Sequence, residues 1–418
     1  MKMITNILTP EQIFYIKNQK FSDTEPGTLL KDFSSLLDFI GSAGVPVSGK
    51  NNLLAIKLLP HLNQLMSNPL DVKLKRPQQK SFPHINGLYL LLRASGLSEI
   101  VIEKKEAKLM LDNQVLADWH SMNSTERYFA LLQAWWYRGN PEIIGERERR
   151  DFYFSECLYF FLNMLCGDPD LKTKLDVTYF RYGPGFHNLA LMELFGFVRI
   201  EQNAALSGEN WPISNVEPTV LGHALFNYLY QYQQSLNKNI YNDPSYDHEA
   251  DCWSYELKTH LPAWEKEITQ PAMKEMQDSI FVFKVTLASA YRKIAVPGTT
   301  DLDELARSIL GAFEFDNDHL YEFIYKNRNG ITERVVHPYM ESAGLCADEC
   351  VVGELPLRKG MALTFHFDFG DDWRFQLVVE SISSENVNYS EPTVIERHGE
   401  PVKQYPDWED EDDWDEAN

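Results

Sequence analysis

Long apolar runs are missing from this chain. Nothing approaches the roughly 18 consecutive apolar residues that a membrane span requires. The first twenty residues, MKMITNILTPEQIFYIKNQK, lack the unbroken apolar stretch and small-residue cleavage site of a secretory signal. Neither a membrane partner nor an export signal is therefore expected. Cysteine is scarce too: the five, Cys157, Cys166, Cys252, Cys346 and Cys350, are scattered and odd in number. That argues against a disulfide framework and fits a reducing compartment, with the cytoplasm as the expected location. Dense basic stripes are also absent. With 39 Lys and Arg against 61 Asp and Glu, the formal charge is −22, whereas tight binding to duplex DNA needs clustered cations that release counterions. Eight of the acids sit in the last twelve residues, DWEDEDDWDEAN, and the remainder stays acidic. Familiar catalytic signatures are lacking as well. There is no Gly-x-Ser-x-Gly and no His-Glu-x-x-His, and Gly183-Pro184-Gly185 has no Lys-Ser/Thr ending of a phosphate loop.

What is present is ample core material. Hydrophobic residues make up 44% and aromatics 13% of 418 residues, enough for packed globular domains and too long for one ordinary core. The N-terminal part reads mainly helical. Leu29, Phe33, Leu36, Leu37 and Ile40 recur at helical spacing and stop at Gly41–Gly44, and a second helix is expected over Leu53–Met66 with Ile56, Leu59 and Leu62 on one side. Residues 73–83, KLKRPQQKSFP, read as a loop. A helix over Ile85–Ala94 then ends at Gly96-Leu97, and a hairpin is expected with Ile100–Glu103 against Ala107–Leu111 and Lys104 and Lys105 at its tip. Helix, Gly-Leu, hairpin, helix is the order of a winged-helix-like unit. A divergent second copy runs from 186 to 230: a helix to Phe195-Gly196, a strand over Phe197–Glu201, then WPISNVEPTVLGHALFNYLY. Aromatic-rich helices over 124–136 and 151–166 lie between the copies.

Composition turns polar over 231–277, and beyond it the period shifts toward strands. IFVFKVTLA (280–288) alternates, IAVPG (294–298) closes a hairpin-like pair, DLDELARSILGAF (301–313) is an amphipathic helix, and Met361–Phe369 and Phe375–Val379 are further strands. The expected architecture is multidomain: a mainly α region with winged-helix-like units at 1–140 and 141–270, an α+β domain at 278–407, and an acidic tail at 408–418.

Phe283-Lys-Val-Thr-Leu287, Tyr291-Arg292, Ile294-Ala-Val-Pro297, FDNDHLYEF (315–323) and HFDFGDDWRFQLVVE (366–380) follow one another in an order that resembles the plasmid pRiA4b ORF-3-like family. The resemblance covers roughly residues 278–407 and rests most on Asp368-Phe-Gly-Asp371-Asp372-Trp373. It implies an α+β fold and a mobile-element or regulatory context, and brings no established reaction. The region 391–410 keeps Pro392, Gly399 and Pro401 but lacks the Gly-Gly pair of many members.

The sharpest candidate site is the set His319, His366, Asp368, Asp371 and Asp372. Imidazole and carboxylate ligands with an open position can activate water on a metal. Alternation puts His366 and Asp368 on one face and Phe365, Phe367 and Phe369 on the other. Against this stands a structural corner in which Gly370 takes an unusual φ, carboxylates hold backbone N–H groups and Trp373 locks into the core. Tyr291-Arg292 meets either an anionic ligand or, in the favoured reading, a carboxylate that holds the turn. Cys346 and Cys350 with His337 nearby fall short of zinc-site spacing. Lys73, Lys75, Arg76, Lys80, Lys104, Lys105 and Lys108 offer a local phosphate-contacting surface, with Glu99, Glu103 and Glu106 interleaved. Trp408 and Trp414 stand in the acidic tail. No cofactor motif stands out; a divalent metal is the one cofactor that the His/Asp set would suit. These features favour a non-catalytic interaction or regulatory protein, of mobile-element origin, that recognises a protein partner through Tyr291, Arg292, Trp373 and the His/Asp set. The alternatives are a metal-dependent hydrolase acting on nucleic acid or nucleotide, and a winged-helix DNA-binding protein that uses Lys104 and Lys105.

Overall fold

The computed structural model describes residues 8–103, 106–146, 153–166, 183–209, 211–242, 252–268, 276–340, 345–383 and 389–405. The chain divides into two compact units, Met1–Pro271 and Ala272–Asn418.

The first unit is mainly helical. It opens with α1 (Pro10–Asn18) and α2 (Leu29–Ile40), whose Leu29, Phe33, Leu36, Leu37 and Ile40 are all buried as their spacing predicts. Gly41, at φ +56°, ends α2. The helix expected over Leu53–Met66 needs correction. After β1 (Val45–Ser48), Leu53–Leu54 pair with it as β2, Ile56–Leu58 make a single 3-10 turn with Ile56 exposed, and α3 spans only Leu59–Leu65. Pro60 gives the reason: its ring removes an N–H and is tolerated in a first turn, so the helix starts there and cannot run through from Leu53.

The two expected helix–glycine–hairpin–helix segments are both present. The first is α4 (Pro83–Ala94), β3 (Ser98–Glu103), β4 (Glu106–Leu111) and α5 (Asn113–Ser121). α6 (Ser124–Arg138) and α7 (Phe154–Tyr159), the latter continued by a π-helical turn Phe160–Leu165, follow. The second segment is α8 (Phe186–Leu194), β5 (Val198–Gln202), β6 (Ile213–Pro218) and α9 (Val220–Asn242), with α10 (Ser254–His260) beyond. Gly96 and Gly196 sit at φ +81° and +76° where each helix turns into its hairpin, a region that costs glycine nothing. Every residue of α4 is buried, and α4 lies directly on α8: a Cβ at Gly87 would be 2.8 Å from Leu191 Cγ and 3.0 Å from the His187 carbonyl oxygen. The aromatic helices α6 and α7 wedge around this pair. Trp135 meets Phe154 edge-on at 4.7 Å and donates through Nε1 to Asn188 Oδ1 at 3.0 Å, and Tyr128 Oη donates to the Phe195 carbonyl at 2.7 Å.

The second unit is an eight-stranded sheet with one long helix. Its strands are β7 (Ile280–Leu287), β8 (Ala290–Pro297), β9 (Tyr321–Lys326), β10 (Thr332–Val336), β11 (Leu345–Cys346), β12 (Ala362–Phe367), β13 (Trp373–Ser383) and β14 (Thr393–His398). They lie in the order β11-β10-β9-β12-β13-β7-β8-β14, antiparallel throughout except for β10 with β11. β9, β10, β11 and β14 were not anticipated. Alternate residues of β7, Phe281, Phe283, Val285 and Leu287, are buried, and they join Phe323, Phe365, Phe367, Phe375 and Leu377 in a core capped by α11 (Leu302–Ala312). α11 buries Leu302, Leu305, Ala306, Ile309 and Leu310, at about 1.5–3 kcal/mol for each large side chain. Its N-terminus is capped by Asp301, which accepts from the Glu304 N–H at 2.7 Å.

Gly87→Ala tests the α4–α8 approach. An exposed helix site would gain from alanine, but here the added methyl must displace Leu191 or the α8 backbone. The variant should lose about 1–3 kcal/mol of stability in urea unfolding, the range for overpacking.

Candidate functional site

Strand register brings the candidate residues to one end of the sheet. Phe367, the last residue of β12, pairs with Tyr321 at the start of β9 and with Trp373 at the start of β13, so the turn 368–372 crowns that end. β12 stops at Phe367 because the next residue is not extended: Asp368 has φ +51° and Asp372 φ +56°. This left-handed conformation falls on the two aspartates and not on Gly370, which corrects the expected corner geometry. Asp tolerates it because its short carboxylate bonds the local backbone. Asp368 is buried, its Oδ1 accepts from Gly370 N at 2.9 Å and Asp371 N at 3.4 Å, and its own N–H donates to the Leu320 carbonyl at 3.0 Å.

The left-handed step also breaks the alternation. Phe365 and Phe367 are in the core, but Phe369 is exposed and meets the His366 ring edge-on at 4.9 Å. Phe369 thus lies on the His366 side, opposite to the side expected from sequence.

Four of the five His/Asp candidates form two groups, and Asp371 belongs to neither. In one, His366 is buried between two acids: Nδ1 is 3.2 Å from Glu322 Oε1, its cross-strand neighbour, and Nε2 is 2.8 Å from Asp372 Oδ1, though off the line of a hydrogen bond. Each acid has an arginine behind it. Arg334 Nη1 is 2.5 Å from Glu322 Oε1, and Arg374 reaches Asp372 Oδ1 through Nε at 2.8 Å and Nη2 at 2.7 Å. Burial raises the Glu322 carboxyl, but the Arg334 and His366 bonds outweigh it and hold it below its ordinary value. The Asp372 carboxyl is held low chiefly by Arg374.

In the other group, exposed His319 has Nε2 3.5 Å from Asp368 Oδ2, 3.8 Å from Asp318 Oδ1 and 3.3 Å from Tyr405 Oη. Tyr405 Oη donates to Asp318 Oδ2 at 2.6 Å; this bond leads in holding Asp318 low and pushes the Tyr405 hydroxyl up to about 12. Gln404 ties the same strap down, accepting from Asp316 N at 2.6 Å and donating to Asp318 Oδ1 at 3.2 Å. Asp371 is exposed with no ion pair among the described residues. Among those residues no three His, Cys, Asp or Glu side chains are grouped as a metal would need.

Tyr291 and Arg292 are both engaged internally. Tyr291 Oη donates to Glu396 Oε1 at 2.6 Å, with its ring stacked on His398 at 4.9 Å and Lys284 Nζ 4.1 Å above it. Arg292 is buried and has no carboxylate partner among the described residues, which corrects the expected Arg–carboxylate pair. It donates instead to four carbonyls: Ala312 (2.9 Å), Tyr291 (2.9 Å), His398 (3.0 Å) and Gly399 (3.1 Å). Arg397 adds a second bond to Ala312 O at 2.9 Å, so two guanidiniums sit at the negative end of α11. Trp373 is half-buried and packs edge-on against Phe315 at 5.1 Å. Cys350 is buried, its thiol pushed up to about 11 by burial and then by Glu354, and Cys346 is half-buried.

In the first unit, Lys73 pairs with Asp71 at 2.7 Å, and Lys75, Arg76 and Lys80 are exposed. Lys104, Lys105, Trp408 and Trp414 lie outside the described residues. The helix before each hairpin, which a major-groove reader would present to DNA, is buried as α4 and α8. Glu322, Arg334, Arg374, Gln404 and Tyr405 were missed from sequence. Only strand register and the fold-back of the 399–405 segment bring them to the corner.

Residues 279–404 match the family model described as plasmid pRiA4b ORF-3-like protein. A solved structure, the protein of unknown function MM3350 from Methanosarcina mazei Go1, is 20% identical over 30% of this chain and 72% of its own, with a TM-score of 0.27. No curated protein matches. No helix among the described residues is long and apolar enough to cross a membrane.

Replacing Arg292 by Met should cost at least about 3 kcal/mol, because several buried carbonyls lose their donor at once; Arg292→Lys should recover part of it, as one ammonium cannot span all four. Chemical denaturation of both variants checks this. For Glu322 the folded value lies below the unfolded one, so its contribution is complete above about pH 4.3 and disappears as pH falls through the folded value. Glu322→Gln should therefore lower the thermal midpoint at pH 7, and the gap to wild type should narrow as the pH falls below the unfolded value.

Proposed function

We propose that the pRiA4b ORF-3-like domain, residues 279–404, is a non-catalytic recognition module whose sheet-end corner docks a basic protein partner. One observation carries the reading. Leu320, Phe369 and Tyr405 are 41%, 43% and 46% exposed, and each is tied to the corner. The Leu320 carbonyl holds Asp368, Phe369 follows it in the turn, and Tyr405 reaches His319. Apolar side chains held out to solvent by a hydrogen-bonded frame are a feature of binding surfaces. Around them lie Asp316, Asp318, Asp371 and Asp372, and the eight acids of the last twelve residues follow two positions after Tyr405 in the chain. Charge complementarity therefore favours a partner rich in Lys and Arg.

Regulation of a partner, a mobile-element origin and a cytoplasmic setting belong to this reading. The two helix–hairpin–helix segments of the first unit are read as winged-helix-like, serving packing and protein docking. The hydrolase alternative loses support, because His319 and His366 belong to separate groups and each is occupied by acids of the frame.

A fluorescent decapeptide of alternating Arg and Leu tests the proposal by anisotropy. Binding should weaken as salt rises, and Phe369→Ser combined with Asp371→Asn should weaken it at least about tenfold with the thermal midpoint nearly unchanged. Absence of binding, or binding indifferent to both substitutions, would overturn the reading.

A further inference from the structure

All five cysteines are thiols, and their surroundings differ. Cys157 is buried and its thiol is pushed well above the ordinary range by burial. Cys350 is likewise buried. Cys252 is half-buried, 3.2 Å from Tyr137 Oη and 2.9 Å from Ser254 Oγ, both hydroxyls. Cys346 is half-buried in the two-residue strand β11. Cys166 alone has an imidazole at hand among the contacts described: its Sγ is 3.6 Å from His223 Nε2.

Both members of this pair reach the surface. Cys166 is half-buried at the end of the π-helical turn Phe160–Leu165, and His223 is exposed in the first turn of α9. The ring is placed by its backbone, whose N–H donates to Thr219 O at 2.9 Å and whose carbonyl accepts from Asn227 Nδ2 at 2.9 Å. Phe161 supports it edge-on at 5.6 Å. A thiol beside an imidazole is the arrangement that generates a nucleophilic sulfur. The imidazole has no carboxylate or amide partner among the described contacts, so the three-member relay of an acyl-transfer enzyme is not assembled. What remains is a two-member arrangement suited to direct attack on a small reagent.

We propose that Cys166 and His223 form a covalent modification site for small soft electrophiles, with His223 as the base. With iodoacetamide as the probe, Nε2 takes the thiol proton and the sulfur lone pair attacks the methylene carbon. The S–C bond forms as the C–I bond breaks, iodide leaves with the bonding pair, and the imidazolium later returns its proton to solvent. No redox change is involved.

The experiment labels the intact chain with iodoacetamide at pH 7, quenches at intervals, and quantifies each cysteine by peptide mass spectrometry, with the denatured chain as the reference for intrinsic rates. Cys166 should react about tenfold faster than Cys252 and Cys346, and faster in the folded than in the unfolded chain. His223→Gln should slow Cys166 by about tenfold and leave Cys252 and Cys346 unchanged; those two serve as the internal check that the fold is kept. A Cys166 rate no higher than in the denatured chain would overturn the proposal, as would a rate unaffected by His223→Gln while the two control cysteines hold.

Discussion

A strand that ends in a left-handed aspartate governs the candidate-site end of the second unit. An L-residue at positive φ turns the chain sharply, and Asp368 makes this tolerable because its carboxylate bonds the N–H groups of Gly370 and Asp371. Had the strand simply continued, Phe369 would follow Phe365 and Phe367 into the core. The turn instead sets it on the opposite face over His366. The exposure of Phe369 follows from that backbone conformation, and a second left-handed residue, Asp372, returns the chain to β13 beside Arg374.

Among the described residues a single long helix covers one face of the eight strands, and the opposite face has polar side chains to satisfy. Cross-strand charge pairs do this. Arg334, Glu322, His366, Asp372 and Arg374 form a continuous row, and Lys293 with Glu380 and Glu396 forms another. The core side shows the converse economy. Arg292 is buried, but its donors are spread over four carbonyls that include the last turn of α11, joining helix, hairpin and the β14 exit through one guanidinium.

Legibility from sequence followed periodicity. α2, both hairpins, β7 and α11 carry clean repeats of 3.6 or 2, and each element lies close to where its pattern put it. Leu53–Met66 misled because apolar residues continue across a strand, a 3-10 turn and a proline-started helix. β14 was hidden by a register shift between Val394 and Glu396, which removes alternation where the eye needs it. His319, His366 and the aspartates were legible as a polar cluster in the chain. Their partition into two groups was not, because Glu322 lies 44 positions from His366.

Composition and pattern alone determined the helical first part, the strand-rich second part, the acidic surplus and the identity of the reactive side-chain types, since these depend on local spacing and residue chemistry. Tertiary structure decided which of those side chains meet. A one-residue change of register exchanges the two faces of a strand, and one left-handed residue does the same at its end. The pairing of His366 with Glu322, the exposure of Phe369 and the meeting of Cys166 with His223 are therefore properties of the folded backbone, fixed by contacts between segments far apart in sequence.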